Sequence, residues 1–199
     1  QVCGALSYSH ASRVINEEKQ NGTIHQDIKP GNILLTSEDL GQARVKVTDF
    51  GIARIAGSAG GGGTPPYMAP EQWSSGIAEA GVDLYSLGVT LYQMLAGRLP
   101  FPGPSEDEFR DQHTNALFPP FAQELGIPER IESVVRRAMA KTPEARFATA
   151  NEMAGALERA LTGGISPPVT PPEPPRGPAG DQYHVPREPS NVGRVLKKV

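Results

Sequence analysis

Cysteine is nearly missing from this 199-residue chain. Cys3 is the only one, so no intrachain disulfide can form. That scarcity fits a reducing compartment, and Cys3 reads as a small buried apolar residue. Also lacking is any apolar run long enough to span a bilayer, and no charged-then-apolar signal segment opens the chain. Charge of one sign is not in excess either. With 19 Lys and Arg against 22 Asp and Glu, the formal net charge is −3, which gives no footprint for nucleic acid or anionic lipid. His10, His113 and His184 do not share the spacing of a metal-ligand set, so no metal is assigned to them. There is no internal repeat. Hydrophobic residues reach only 38%, whereas Pro (20) and Gly (22) are abundant and unevenly spread. The first residue is Gln1, so a fragment or a processed product is expected.

The uneven composition divides the chain into an ordered part, residues 1–161, and a tail, residues 162–199. In the tail, the run from Ile165 to Gly180 is Pro-rich and has almost nothing to bury, so an extended linker is expected. A ligand for a polyproline-binding domain is the alternative. In the ordered part, Val2, Ala5 and Leu6 stand at helical spacing. A polar stretch from Ala11 to Asn21 follows and reads as a surface insertion. The runs Asn32 to Thr36 and Arg44 to Thr48 are short and aliphatic or β-branched, and predict the two arms of a hairpin. Gly57 to Gly63 is too rich in glycine to hold regular structure. From Asp83 to Leu95 the chain is apolar almost all round, which predicts a helix buried on most faces. Two further helices are expected at 131–140, after Pro128, and at 149–161. Trp73, Tyr85 and Tyr92 read as packing residues.

One local run carries chemistry: His25-Gln26-Asp27-Ile28-Lys29-Pro30-Gly31-Asn32. Phosphoryl transfer asks a protein for a positioned hydroxyl, neutralised phosphate charge and held magnesium. A carboxylate and an amide five residues apart can supply a base and one metal ligand, with the Lys29 cation between them. Asp49-Phe50-Gly51 closes the second hairpin arm and offers a further carboxylate oxygen, the donor type that magnesium prefers. The hairpin brings Asn32 and Asp49 to neighbouring positions. The glycine run does not form a phosphate loop, because it has neither the Walker spacing nor a strand-to-helix context.

In this ordered set the chain resembles the C-terminal lobe of the eukaryotic-type protein kinases, especially bacterial serine/threonine kinases. The run from His25 to Asn32 matches the catalytic loop, and Asp49-Phe50-Gly51 matches the magnesium motif. Gly63-Thr64-Pro65-Pro66-Tyr67-Met68-Ala69-Pro70-Glu71 matches the end of the activation segment. The stretch from Asp83 to Gly88 is similar to the start of the central helix, and that from Lys141 to Phe147 to the closing motif. The resemblance implies an α+β, protein-kinase-like fold, a mostly helical lobe with a small β-hairpin. It implies ATP and Mg2+ as cofactors, a protein as substrate, no nucleic acid, and a cytoplasmic location. Carried over, Asp27 orients the substrate hydroxyl, Lys29 contacts the γ-phosphate, Asn32 and Asp49 hold magnesium, and Leu34 lies under the adenine. His25 and Phe50 stack between lobes, Asp83 braces the catalytic loop, Glu71 pairs with Arg146, and Thr64 bonds near Asp27 and Lys29. Ser58, Thr64 and Tyr67 belong to the activation and substrate segment.

The chain also departs from the family pattern. A Gly-rich loop, a strand lysine and a helix glutamate belong to the kinase motif set and do not occur here, so this chain alone is expected to be inert. Gln26 stands where the family usually has arginine, and a neutral amide cannot pair with a loop phosphate as a cation does. Little dependence on phosphorylation is therefore expected, with Ser58 the one hydroxyl between the Asp-Phe-Gly motif and Thr64. Arg194, Lys197 and Lys198 fit the cations that precede a membrane helix beyond Val199, or an ordinary charged terminus. The competing readings are a non-catalytic, pseudokinase-like module that docks a protein, and a non-functional gene fragment.

Overall fold

The computed structural model describes residues 1–15, 18–20, 22–37, 39, 42–50, 54–55, 62–74 and 79–163, with backbone only at 13–15, 18–20 and 54–55. Ser58, the Pro-rich tail and its terminal cations lie outside the described residues. Six helices and three two-stranded antiparallel ladders are described: α1 (Val2–His10), β1 (Arg13–Ile15), β2 (Glu18–Gln20), β3 (Thr23–Ile24), β4 (Ile33–Leu35), β5 (Val45–Val47), β6 (Arg54–Ile55), α2 (Pro70–Ser74), α3 (Ala80–Ala96), α4 (Glu106–Asn115), α5 (Glu129–Ala138) and α6 (Ala150–Thr162).

The centre is α3. Every residue from Val82 to Thr90 is buried, and so is Tyr92. Its two sides meet different clusters, which is why the sequence shows no polar stripe. One side joins Leu84 and Leu87 to Cys3, Leu6, Ile28, Val134, Phe147 and Met153. The other joins Val82, Tyr85, Val89 and Tyr92 to Ala69, Phe101, Phe121 and Met139. At the crossing with α5, a Cβ on Gly88 would lie 2.9 Å from Ala138 Cβ, so glycine sets how closely the two helices approach. Gly97 adopts φ 68° and ends α3 in the left-handed cap that glycine favours.

The other helices follow their caps. Thr149 accepts from the Glu152 amide at the start of α6, and the Glu152 carboxylate accepts in turn from Ala148 N at 2.8 Å. Acidic Glu129 and Glu132 open α5, while Arg136 and Arg137 close it, in line with the helix dipole. In α1 the inward residues are Cys3 and Leu6, with Val2 half-buried. Ala5, which the helical spacing places on that stripe, is exposed, because α1 turns its Cys3 edge to α6.

The hairpin expected from the two aliphatic runs forms, with Ile33 opposite Val47, Leu34 opposite Lys46 and Leu35 opposite Val45. The polar stretch after α1 forms a second hairpin ladder, β1–β2, pairing Arg13 with Gln20. Its exit is fixed at Gly22, where a Cβ would lie 1.9 Å from the His10 carbonyl oxygen. Chain entry at His10 and exit at Gly22 therefore touch.

Candidate active site

The loop from His25 to Asn32 runs between β3 and β4 over the first turns of α3. Its support is Asp83, fully buried, whose two oxygens accept from His25 N at 2.8 Å and Gln26 N at 2.7 Å. A third partner, His10 Nε2, lies 2.7 Å from Asp83 Oδ2. The loop can bend this sharply because Gln26 takes φ 67°. A left-handed backbone at a non-glycine residue costs on the order of 1–3 kcal/mol, and persists only where surrounding bonds hold it. Asp49, with φ 61°, is the other such residue among those described.

His25 is buried and its tautomer follows from its partners. Nδ1 accepts from Asp27 N at 3.3 Å, which leaves Nε2 to donate to the Thr48 carbonyl at 2.8 Å. Its ring meets Phe50 at a centroid distance of 4.5 Å and a tilt of 56°. Loop and hairpin end are thus joined one residue before Asp49. They are joined again at Asn32, whose carbonyl accepts from Thr48 N at 2.9 Å. The hairpin thereby brings Asn32 close to the residue that precedes Asp49.

Asp27 sits in a ring of polar contacts. Lys29 Nζ lies 2.7 Å from Asp27 Oδ2, and donates to Thr64 Oγ1 at 2.6 Å. Thr64 in turn donates to Asp27 Oδ1 at 2.6 Å. Asn32 Nδ2 donates to both the Asp27 carbonyl at 2.8 Å and Asp27 Oδ2 at 3.1 Å. Burial alone raises the pKa of this carboxyl, but the bonds from Lys29, Thr64 and Asn32 outweigh it and hold Asp27 below the usual carboxylate range. Because Nδ2 faces acceptors, the Asn32 side-chain oxygen is left to serve as an acceptor itself.

Further out, Tyr67 donates to Gln93 Oε1 at 2.7 Å, and its carbonyl accepts from Ser86 Oγ at 2.8 Å. Burial pushes the Tyr67 hydroxyl pKa up. Leu34 is about half exposed on the hairpin. Glu71 and Arg146 form a two-point ion pair, with Nη1 at 2.6 Å and Nη2 at 2.8 Å.

The sequence alone gives no reason to assign a role to two residues found here. His10 completes the Asp83 cluster from 73 positions away, a separation no local motif reveals. Gln72, buried on α2, reaches both the loop from His25 to Asn32 and the backbone before Thr64. Its only local signal is the polar residue following Pro70-Glu71 at the head of a short helix.

Fold and site define one class of protein: the chain belongs to the protein kinase domain family, whose model matches residues 1–156. The chain is 38% identical over 179 residues to serine/threonine-protein kinase PknB of Mycobacterium tuberculosis strain H37Rv, covering 85% of this chain and 26% of that protein. The PknB of Mycobacterium leprae is 39% identical over 178 residues, with the same two shares. A probable serine/threonine-protein kinase PknB of Bifidobacterium longum is 39% identical over 173 residues, 82% of this chain and 23% of the relative. The chain therefore spans about a quarter of the length of the curated relatives it matches. No described helix is long and apolar enough to cross a membrane.

Proposed function

We propose that this chain supplies the catalytic loop and metal-binding residues of a serine/threonine protein kinase, which moves the ATP γ-phosphate to a protein hydroxyl. The observation that carries this reading is the ring around Asp27. There an ionised carboxylate holds a threonine hydroxyl at 2.6 Å while an ammonium group lies 2.6 Å from the same hydroxyl oxygen. A substrate serine or threonine needs that environment: an acceptor for its proton and a cation beside the oxygen that attacks phosphorus. Asp27 is the residue that receives or orients the hydroxyl proton. Lys29 meets the charge that develops on the transferred phosphoryl group.

The donor set suits magnesium. Asn32 has an amide oxygen available, Asp49 contributes a carboxylate, and both are hard oxygen donors. Among the described residues no group of three His, Cys, Asp or Glu gathers as a metal site. Magnesium is commonly held by one or two protein oxygens together with water and nucleotide phosphates. When bound, such a cation neutralises phosphate charge. Leu34 offers an exposed apolar surface for the adenine. Cys3 is buried and is the sole cysteine, which supports a cytoplasmic setting.

The test is magnesium-dependent transfer of labelled γ-phosphate to a serine peptide by the complete gene product. Asp27→Asn should lower kcat at least about a hundredfold, the usual share of a positioned base. An unchanged rate in Asp27→Asn would remove the assignment.

A further inference from the structure

Gln72 has the bonding of a cross-brace. It is 6% exposed, and all of its described side-chain bonds go to backbone. Its Oε1 accepts from Ala69 N at 2.8 Å. Its Nε2 donates to the Gly62 carbonyl at 2.8 Å and to the Gln26 carbonyl at 3.3 Å. Two carbonyls on one side and an amide N–H on the other leave only one orientation for the side chain. A carboxylate at this place would keep the bond from Ala69 but oppose two carbonyl oxygens.

The carbonyls it joins lie beside the two residues whose separation matters. Gln26 immediately precedes Asp27, and Gly62 stands two residues before Thr64. Between them Gly63 has φ 128°, and a Cβ there would lie 3.0 Å from the Gln26 carbonyl oxygen and 3.2 Å from Gln72 Nε2. The two backbones are therefore in contact, held by one amide group. Gln26 brings no cation to this junction, and among the described residues its own buried Oε1 has no hydrogen-bond partner.

We propose that Gln72 is a positioning residue: its uncharged amide holds the backbone at Gly62–Gly63 against the catalytic loop, so that Thr64 reaches Asp27 and Lys29 with no phosphate on the segment. The effect on catalysis rests on the kinase reading above, while the structural effect stands apart from it. Phosphate at such a junction needs a cationic partner, and the neighbouring loop residue here is an amide. Two hydrogen bonds to backbone suffice for a tenfold bias between held and released forms.

The experiment compares wild type, Gln72→Glu and Gln72→Met in the complete gene product at a temperature where all are folded. The readouts are kcat and ATP KM, the NMR shift of the Thr64 methyl group, and hydrogen exchange at the Ala69 amide. Gln72→Glu should lower kcat about tenfold or more at unchanged ATP KM and shift the Thr64 methyl resonance. It should also leave Ala69 protected, because a carboxylate still accepts that bond. In Gln72→Met the Ala69 protection should be lost as well. Phosphatase-treated wild type should keep its Thr64 shift. Wild-type kcat and an unmoved Thr64 resonance in Gln72→Glu would overturn the proposal, as would a Thr64 resonance that moves when wild type is dephosphorylated. If Gln72→Glu does not fold, the same two readouts on Gln72→Met decide. If wild type itself transfers no phosphate, the kinase reading fails, and the Thr64 resonance still decides whether the brace exists.

Discussion

Two ion pairs in this molecule look alike on paper and differ in kind. Arg146 is 2% exposed, and each of its five N–H groups has an acceptor: Glu71 takes two, and the carbonyls of Gly81, Ala140 and Lys141 take the rest. Its guanidinium also lies 4.9 Å over the Tyr85 ring. Nothing more can be bound there. The Asp27 and Lys29 pair is in direct contact at 2.7 Å and also shares the Thr64 hydroxyl, and the Lys29 side chain is 28% exposed. Its members can change partners without opening the core. A closed network fixes a fold, whereas an open one serves a site.

The largest expected effect breaks the closed network. Arg146→Ala removes a buried guanidinium together with its two bonds to Glu71 and its bonds to three half-buried carbonyls, and should cost about 3–5 kcal/mol of unfolding free energy in urea titrations. A loss under about 1 kcal/mol would erase the distinction. Next in size is a pH effect beneath the same region. His113 is fully buried, shares a 2.9 Å bond with Tyr85 OH, and packs on Phe101 and Phe109. Burial, helped by the Lys141 cation, holds its pKa down at about 4. Unfolded histidine takes a proton near pH 6.5 while the folded one does not, so stability falls as pH drops from about 6.5 to about 4. The full change is about 3 kcal/mol, and in His113→Gln the fall in urea midpoint between pH 7 and 4.5 should be correspondingly smaller. An equal fall in both proteins would count against the buried neutral ring. The smallest effect lies at an exposed cap. Ser105 accepts from Glu108 N and donates to Glu108 Oε2 at the start of α4. Ser105→Ala should cost about 1 kcal/mol and leave phosphotransfer unchanged.

The same contrast decides what can be read from the sequence. The arms of β4–β5 and the helices α3, α5 and α6 are legible, because each is written in local periodicity, β-branching or caps. Helix α4 is missed, since Glu106–Asn115 is polar with only His113 buried, although Ser105 and Glu108 spell a capping box. The polar stretch after α1 reads as an insertion, but its pairing as β1–β2 does not, because three-residue arms carry too little pattern. At the site, the spacing of Asp27, Lys29 and Asn32 is local and legible. The places of His10 and Gln72 are not. Each acts across 46 to 73 residues of sequence, where only the folded chain brings donor and acceptor together.

The most direct test measures stability and turnover together in Asp27→Asn. If the Asp27 ring is an open network built for chemistry, the unfolding free energy of the variant in urea should stay within about 1 kcal/mol of wild type, the net size of an ordinary hydrogen bond, while kcat falls at least about a hundredfold. A variant that unfolds as Arg146→Ala does, or one that turns over at the wild-type rate, would contradict the assignment of this ring as the active site.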